Sequence, residues 1–251
     1  MQAVILAAGM GRRFRHAFPN IPKSMAPFGD RPLLAYSLDA LAARKKHITK
    51  IHVVVGYMAE QIIDLVGRDW NGMPVSCPRV FEFANTGSAA TFLSVAENIS
   101  DDLLVLDGDL IYEDYVLDRV LEDSRPDVMA VTPARQSGDE VWVVADRDDN
   151  LVALGKDKIL SQKARGEMVG INKLSRKTVR SWLRQARREI ETGRTQRLFE
   201  DTLGELASQI PITCLFLENL KWWEIDTPED YRRALALHGL RVQNSDTVGD
   251  L

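Results

Sequence analysis

The sequence predicts an α/β fold: a mixed, mainly parallel sheet flanked by helices. Short apolar runs alternate with helical patterns along the first half, the mark of βαβ units. The first run breaks directly into a loop with two glycines, Gly9 and Gly11, and a later one ends in Asp107-Gly108-Asp109. In such a sheet, ligands sit beyond the carboxyl ends of the strands, which places these two segments on one edge.

Taken in order, residues 3–7 read as a buried strand. Leu33, Leu34, Ser37, Leu38 and Leu41 then keep one helical face. Further strands are expected at 51–55, 80–83, 103–106 and 128–132, with Ala89, Phe92, Leu93 and Ala96 marking a helix between the third and the fourth. The second half changes character and looks like a lobe added to the sheet. Shorter strands at 141–146, 151–154 and 168–173 include a pair joined by the turn Arg147-Asp148-Asp149-Asn150. Val179, Trp182, Leu183, Ala186 and Ile190 outline a long amphipathic helix with an arginine-rich outer face. A helix at 198–208, a strand at 213–217 and an extended stretch at 222–226 follow. Thr227-Pro228-Glu229-Asp230 then opens a last helix, with Thr227 as N-cap and Pro228 as first helical residue. Residues 1–240 are expected to form a single domain, and 241–251, polar and without periodicity, a frayed tail.

Composition narrows the class. The chain has 251 residues, 45% hydrophobic and 27% charged, as in an ordinary globular protein. A net charge of −4 offers no global footprint for nucleic acid, so any anion site must be a local basic pocket. Cys77 and Cys214 are too few for a disulfide framework or a zinc cluster and read as free thiols. With no apolar run of membrane-spanning length and no signal-peptide pattern, a cytoplasmic protein is expected, with no membrane partner. The four histidines show no metal-ligand spacing and read as structural or surface residues.

The loop after the first strand carries the chemistry. Gly9 and Gly11 let the backbone approach a ligand and aim N–H groups at it, while Arg12, Arg13 and Lys23 supply cationic donors. Phosphate oxygens suit such a loop, although a tight turn uses the same glycines. The spacing is neither that of a dinucleotide fingerprint nor that of a P-loop. Leu6-Ala7-Ala8-Gly9-Met10-Gly11-Arg12-Arg13 followed by Pro22-Lys23 resembles the signature of nucleotidyltransferases that activate sugar phosphates and alcohol phosphates with an NTP.

The resemblance extends from Leu6 to about residue 234. It implies a Rossmann-like sheet with a small acceptor-binding lobe, and Mg2+ held by carboxylates at strand ends. Asp109 is the implied metal ligand, with Asp107 as neighbour or alternate and an ordinary Asp-Gly turn as the plainer reading. The second carboxylate is Asp226. Its surroundings, Trp222-Trp223-Glu224-Ile225-Asp226-Thr227, are similar to a late motif of cytidylyltransferases for phosphocholine, aminoalkyl phosphonates and inositol phosphate. On a strand, Glu224 shares the face of Asp226 and is the candidate for a second metal or a cationic substrate. Glu229 and Asp230 read as solvated or helix-dipole residues.

The same resemblance gives Lys23 and Arg13 to the triphosphate and Lys156 to the acceptor phosphate, while Arg12 faces solvent. Leu6, Ala8, Gly9, Gly11, Asp107, Thr86, Gly87 and Ser88 complete the implied nucleotide site, though 85–88 also suits a helix cap. Glu167 and Gly170 are assigned to the acceptor pocket, and Glu200 and Asp201 form an acidic pair that also suits a helix surface. Glu224, Trp222, Trp223, Tyr112 and Trp142 are available to meet a cationic head group. Pro22-Lys23-Ser24-Met25 departs from the usual Pro-Lys-x-Leu, which touches the positioning of Lys23 but not its charge. The implied reaction joins CTP to a small phosphate or phosphonate acceptor and releases pyrophosphate. Alternatives are a sugar-1-phosphate or inositol-phosphate nucleotidyltransferase and, in another class, a non-catalytic nucleotide-sensing subunit. Oligomer formation is not legible.

Overall fold

The computed structural model describes residues 1–16 and 18–239. The fold is mixed α/β with a mainly parallel central sheet flanked by helices. In chain order the strands are β1 (Gln2–Ala7), β2 (Pro27–Phe28), β3 (Arg31–Pro32), β4 (Ile51–Val55), β5 (Asp69–Trp70), β6 (Met73–Ser76), β7 (Leu103–Asp107), β8 (Leu110–Tyr112), β9 (Val128–Thr132), β10 (Trp142–Ala145), β11 (Leu151–Gly155), β12 (Gly166–Leu174), β13 (Thr213–Phe216) and β14 (Trp222–Glu224). The helices are α1 (Leu33–Ala42), α2 (Ala59–Val66), α3 (Ser88–Ala96), α4 (Tyr115–Glu122), α5 (Lys158–Ser161), α6 (Arg176–Glu191), α7 (Phe199–Leu206) and α8 (Pro228–Leu237). The expected tail at 241–251 lies outside the described residues. The chain divides into two compact units.

One unit holds residues 3–84, 106–114 and the chain from Lys221 on. Here β1 runs parallel to β4, with Ala3 opposite Ile51 and Ala7 opposite Val55, and β4 runs parallel to β6. All five residues of β4 are buried, as expected for a parallel strand covered on both faces. Beside the sheet, Phe14, Phe18, Phe28 and Tyr231 form an aromatic cluster with Ile111 and Ile225. Phe14 and Phe18 stack with ring centroids 4.6 Å apart, and Tyr231 meets Phe18 edge-on at 5.3 Å. This core anchors the loop that carries Arg13 to the end of the chain that carries Asp226.

The strand expected at 80–83 does not form. On the side away from β1, the parallel neighbour of β4 is β6, while the later segment makes only an isolated bridge between Arg79 and Val55. Pro74 obscured β6 in the sequence, since it removes a donor from a four-residue strand. Val80, buried and donating its N–H to Val55, had suggested a strand that Phe81, 77% exposed, does not continue.

The other unit holds residues 1–2, 85–105 and 115–220. Its centre is β12, nine buried residues antiparallel to both β9 and β10, with β13 parallel to β9 and β11 antiparallel to β10. The turn at 147–150 joins β10 to β11 as expected. Phe92 of α3, Trp182 of α6 and Phe199 of α7 meet with centroids 4.8–5.5 Å apart, so the apolar face of the long helix is buried here.

Candidate active site

Four short connections build the site within the first unit. The Gly108 N–H donates to the Leu6 carbonyl at 3.0 Å, which ties the Asp107-Gly108-Asp109 turn to the end of β1. The Ile225 N–H donates to the Asp109 carbonyl at 3.0 Å, and β14 pairs antiparallel with β8, Glu224 opposite Leu110. At the start of α8, Thr227 and Asp230 form a capping box that fixes the chain just after Asp226. Pro22 and Lys23 enter a 3-10 turn, Lys23–Met25, whose lysine stem lies against Gly11. Gly11 has φ +53°, and a Cβ there would stand 3.1 Å from the Lys23 Cβ, so glycine satisfies both the backbone and the close approach.

These connections bring five predicted residues together. The Lys23 ammonium touches the Asp109 carboxylate and lies 2.6 Å from Asp226 Oδ1. Arg13 reaches the other oxygen of Asp226 at 3.0 Å. Asp109, Glu224 and Asp226 each offer an oxygen, all within 4.8 Å of one another. Burial alone would push the Lys23 pKa down. The facing charges of Asp109, Asp226 and Glu224 outweigh it and hold the ammonium above its ordinary value. Arg13 is 58% exposed, so its pair with Asp226 adds little stability and leaves its donors near solvent.

The donor set fits a hard divalent cation, which takes oxygen ligands. Asp109 Oδ1 is buried with no hydrogen-bond partner among the described residues, an oxygen that a cation would satisfy. A cavity of about 90 Å³ opens beside it, lined by Leu6, Gly9, Gly11, Lys23, Ser24 and Asp109. Ser24 was not anticipated. Its hydroxyl is buried and unpartnered among the described residues, and it occupies the position of Pro-Lys-x-Leu at which the motif specifies no residue. Arg12 is exposed as expected, with one long bond to the Ala84 carbonyl.

Of the residues assigned to a cationic head group in this unit, Trp222 and Tyr112 face each other across β14 and β8, 3% and 9% exposed. Burial pushes the Tyr112 phenol up to about 12. Trp223 is half-buried and donates its indole N–H to Asp230 at 3.2 Å. Asp230 is therefore more than the solvated, dipole-facing residue expected: it joins β14 to α8.

The remaining predicted residues lie in the second unit. Ser88 accepts the Phe199 N–H at 2.8 Å, and the Gly87 N–H donates to the Thr195 carbonyl at 2.9 Å. A Cβ on Gly87 would fall 2.0 Å from the Arg197 carbonyl oxygen, so no larger residue fits there without a backbone shift. Lys156, at the end of β11, pairs with Asp139 at 3.0 Å. Burial pushes the Glu200 carboxyl up against the pull of Lys156, while Asp201 caps α7 through the Leu198 N–H. Glu167 is fully buried and accepts both the backbone N–H and the Nε of Arg135, at 2.8 and 2.7 Å. Arg135 lies in an irregular loop with no periodicity to place it, and the sequence reading missed it. Gly170 sits at the register shift in β12.

The chain is 30% identical over 135 residues, 54% of its length, to CMP-5'-(3-aminopropyl)phosphonate synthase of Streptomyces rubellomurinus. It is 35% identical over 112 residues, 45% of its length, to UTP–glucose-1-phosphate uridylyltransferase AglF of Haloferax volcanii. The matches span only 21% and 44% of those two relatives. The structure of CTP:phosphocholine cytidylyltransferase LicC from Streptococcus pneumoniae superposes with a TM-score of 0.80, covering 94% of this chain and 98% of that one at 21% identity, a likeness of fold. A family model, that of the MobA-like NTP transferase domain, matches residues 3–200, and the chain belongs to that family.

Proposed function

We propose that this chain transfers a cytidylyl group from CTP, with Mg2+, to a small phosphate or phosphonate acceptor and releases pyrophosphate. The observation that carries the reading is the convergence of Asp109, Glu224 and Asp226 on Lys23 and Arg13, beside the glycine loop that ends β1. Asp109 and Asp226 would hold the metal, with Glu224 beside them, and when bound it supplies positive charge at the reacting phosphate.

The chain's own residues account for the rest. Gly9 and Gly11 leave room for the phosphates, Ala8 and Gly9 offer main-chain contacts to base and ribose, and Leu6 is assigned to the same nucleotide site. Lys23 and Arg13 neutralise the triphosphate, so that an anionic acceptor oxygen can approach the α-phosphorus in line and pyrophosphate can leave. No side-chain nucleophile is needed. Thr86, Gly87, Ser88 and Asp107 are assigned to the nucleotide. Lys156, Glu167 and Gly170 are assigned to the acceptor, with Glu224, Trp222 and Tyr112 for a cationic head such as that of phosphocholine or 2-aminoethylphosphonate.

CTP is preferred on the Trp222-to-Thr227 phrase and on the similarity to a protein named as a CMP-phosphonate synthase. The similarity to a uridylyltransferase supports a second reading, transfer to a sugar 1-phosphate. Incubating the protein with each NTP, Mg2+ and a panel of phosphates and phosphonates separates them by pyrophosphate release. Release with CTP and an amino-alcohol phosphate or aminoalkylphosphonate is expected. Release only with UTP or dTTP and a sugar phosphate selects the second reading, and none across the panel favours a nucleotide-sensing role.

A further inference from the structure

We infer that Lys23 is a lock on the carboxylate cluster. Without nucleotide its ammonium fills the space among Asp109, Glu224 and Asp226, and a divalent cation enters fully only once a triphosphate draws the lysine away. The inference rests on the nucleotidyl-transfer reading and adds to it an order of binding.

Geometry carries the argument. The three ligand oxygens lie within 4.8 Å of one another, and Lys23 Nζ already touches Asp109 and sits 2.6 Å from Asp226. A small hard cation needs its oxygens at about 2.0–2.6 Å, which leaves no room for an ammonium on the same two carboxylates. Lysine and metal therefore compete for one place. The backbone under Lys23 is fixed, because Met25 donates to Pro22 and Ala26 donates to Lys23 at 2.8 and 3.0 Å. Only the side chain is left to swing, on a flexible four-carbon stem. Ammonium contact satisfies one oxygen of Asp109 and leaves Oδ1 buried without a partner among the described residues. Arg13 differs: it is 58% exposed and meets the other oxygen of Asp226, at 3.0 Å.

The consequence is a lowered metal affinity in the nucleotide-free protein. If Lys23 vacates the cluster in one molecule in ten or fewer, apparent affinity falls about tenfold or more. Linkage then makes triphosphate and metal mutually strengthening, since each favours the displaced lysine.

The test titrates Mn2+ into the full nucleotide-free chain and follows the free-ion signal by electron paramagnetic resonance, in wild type, K23Q and R13Q. Binding in K23Q is expected to tighten at least about tenfold, and in R13Q to stay within about threefold of wild type. No tightening in K23Q overturns the lock. So does equal tightening in R13Q, which would reveal a general charge effect. Should K23Q not fold, ¹⁵N NMR of the lysine ammonium groups in wild type replaces it. Mg2+ binding is expected to move the Lys23 signal, and Mg2+ binding that leaves it unmoved overturns the proposal. Pyrophosphate release by wild type decides nucleotidyl transfer separately. Release alongside failed metal tests sinks only the lock, and tightened Mn2+ binding without release sinks only the transfer reading.

Discussion

At the scale of single residues, Asp226 contacts two cations, Lys23 at 2.6 Å and Arg13 at 3.0 Å, and it is a member of the acidic cluster. Asp226→Asn keeps the volume and removes the charge. Pyrophosphate release should fall by at least about 10²-fold, the scale seen when one group stabilising a transition state is removed. Stability should fall by about 1–3 kcal/mol or less, because Asp109 still faces the ammonium. Near-normal turnover with a normal urea midpoint would remove Asp226 from the catalytic centre. His52 offers an independent test of the core. It is buried beside Ser76, and burial, reinforced by Lys50, pushes its imidazole down to about 4. The unfolded chain, with its histidine near 6.5, then binds the extra proton first, so stability is lost as pH falls from about 6.5 towards 4. The loss should reach roughly 2–3 kcal/mol at the acid end, and His52→Gln should lose that much less between neutral pH and pH 4.5. Equal acid losses in both proteins would show that His52 does not set the slope. Lys23, Asp109, Glu224 and Asp226 were singled out because their motifs resemble those of nucleotidyltransferases, and the structure brings the four together. The ion pair between Lys23 and Asp226 was not legible, since it joins positions 203 apart in the chain.

At the scale of elements, the start of α8 shows what a local pattern gives and withholds. Thr227 as N-cap and Pro228 as first residue were legible, and the structure has both. Less visible was the double use of Asp230. Its Oδ2 accepts the Thr227 N–H at 2.9 Å, while its Oδ1 accepts the Trp223 indole at 3.2 Å, spanning the segment that carries Asp226. Thr227→Ala should cost about 1 kcal/mol in urea unfolding, the usual worth of a cap. Asp230→Ala should cost about 2–3 kcal/mol, because it also strands the indole donor. It should slow turnover as well, by loosening Asp226 at both ends. If Asp230→Ala destabilises without slowing the reaction, Asp226 is held by other contacts. Long helices such as α6 were legible because the 3.6-residue period repeats many times over. The strand mistaken at 80–83 and missed at Met73–Ser76 had only four residues of pattern, too few to outvote one proline.

At the scale of the whole molecule, the chain passes between the two compact units after residues 2, 84, 105, 114 and 220. Neither unit is a continuous stretch of chain, and the boundary at 105/106 falls inside β7. Such interleaving was not legible in a sequence read element by element, yet it bears on whether residues 1–240 act as one domain. Because one of the crossings falls inside β7, unfolding of either unit breaks a strand that the other also uses, so one cooperative transition is expected in urea. Trp70, Trp222 and Trp223 belong to one unit and Trp142 and Trp182 to the other, so fluorescence of Trp→Phe variants can follow each separately. A non-reactive CTP analogue with Mg2+, at a hundredfold excess over its Kd, should stabilise the folded state by about 2.7 kcal/mol. If the chain is a single domain, both sets of tryptophans should report the same midpoint and move together to higher urea. Two transitions, of which the ligand shifts only one, would instead mean that the units unfold independently and that the single-domain reading is wrong.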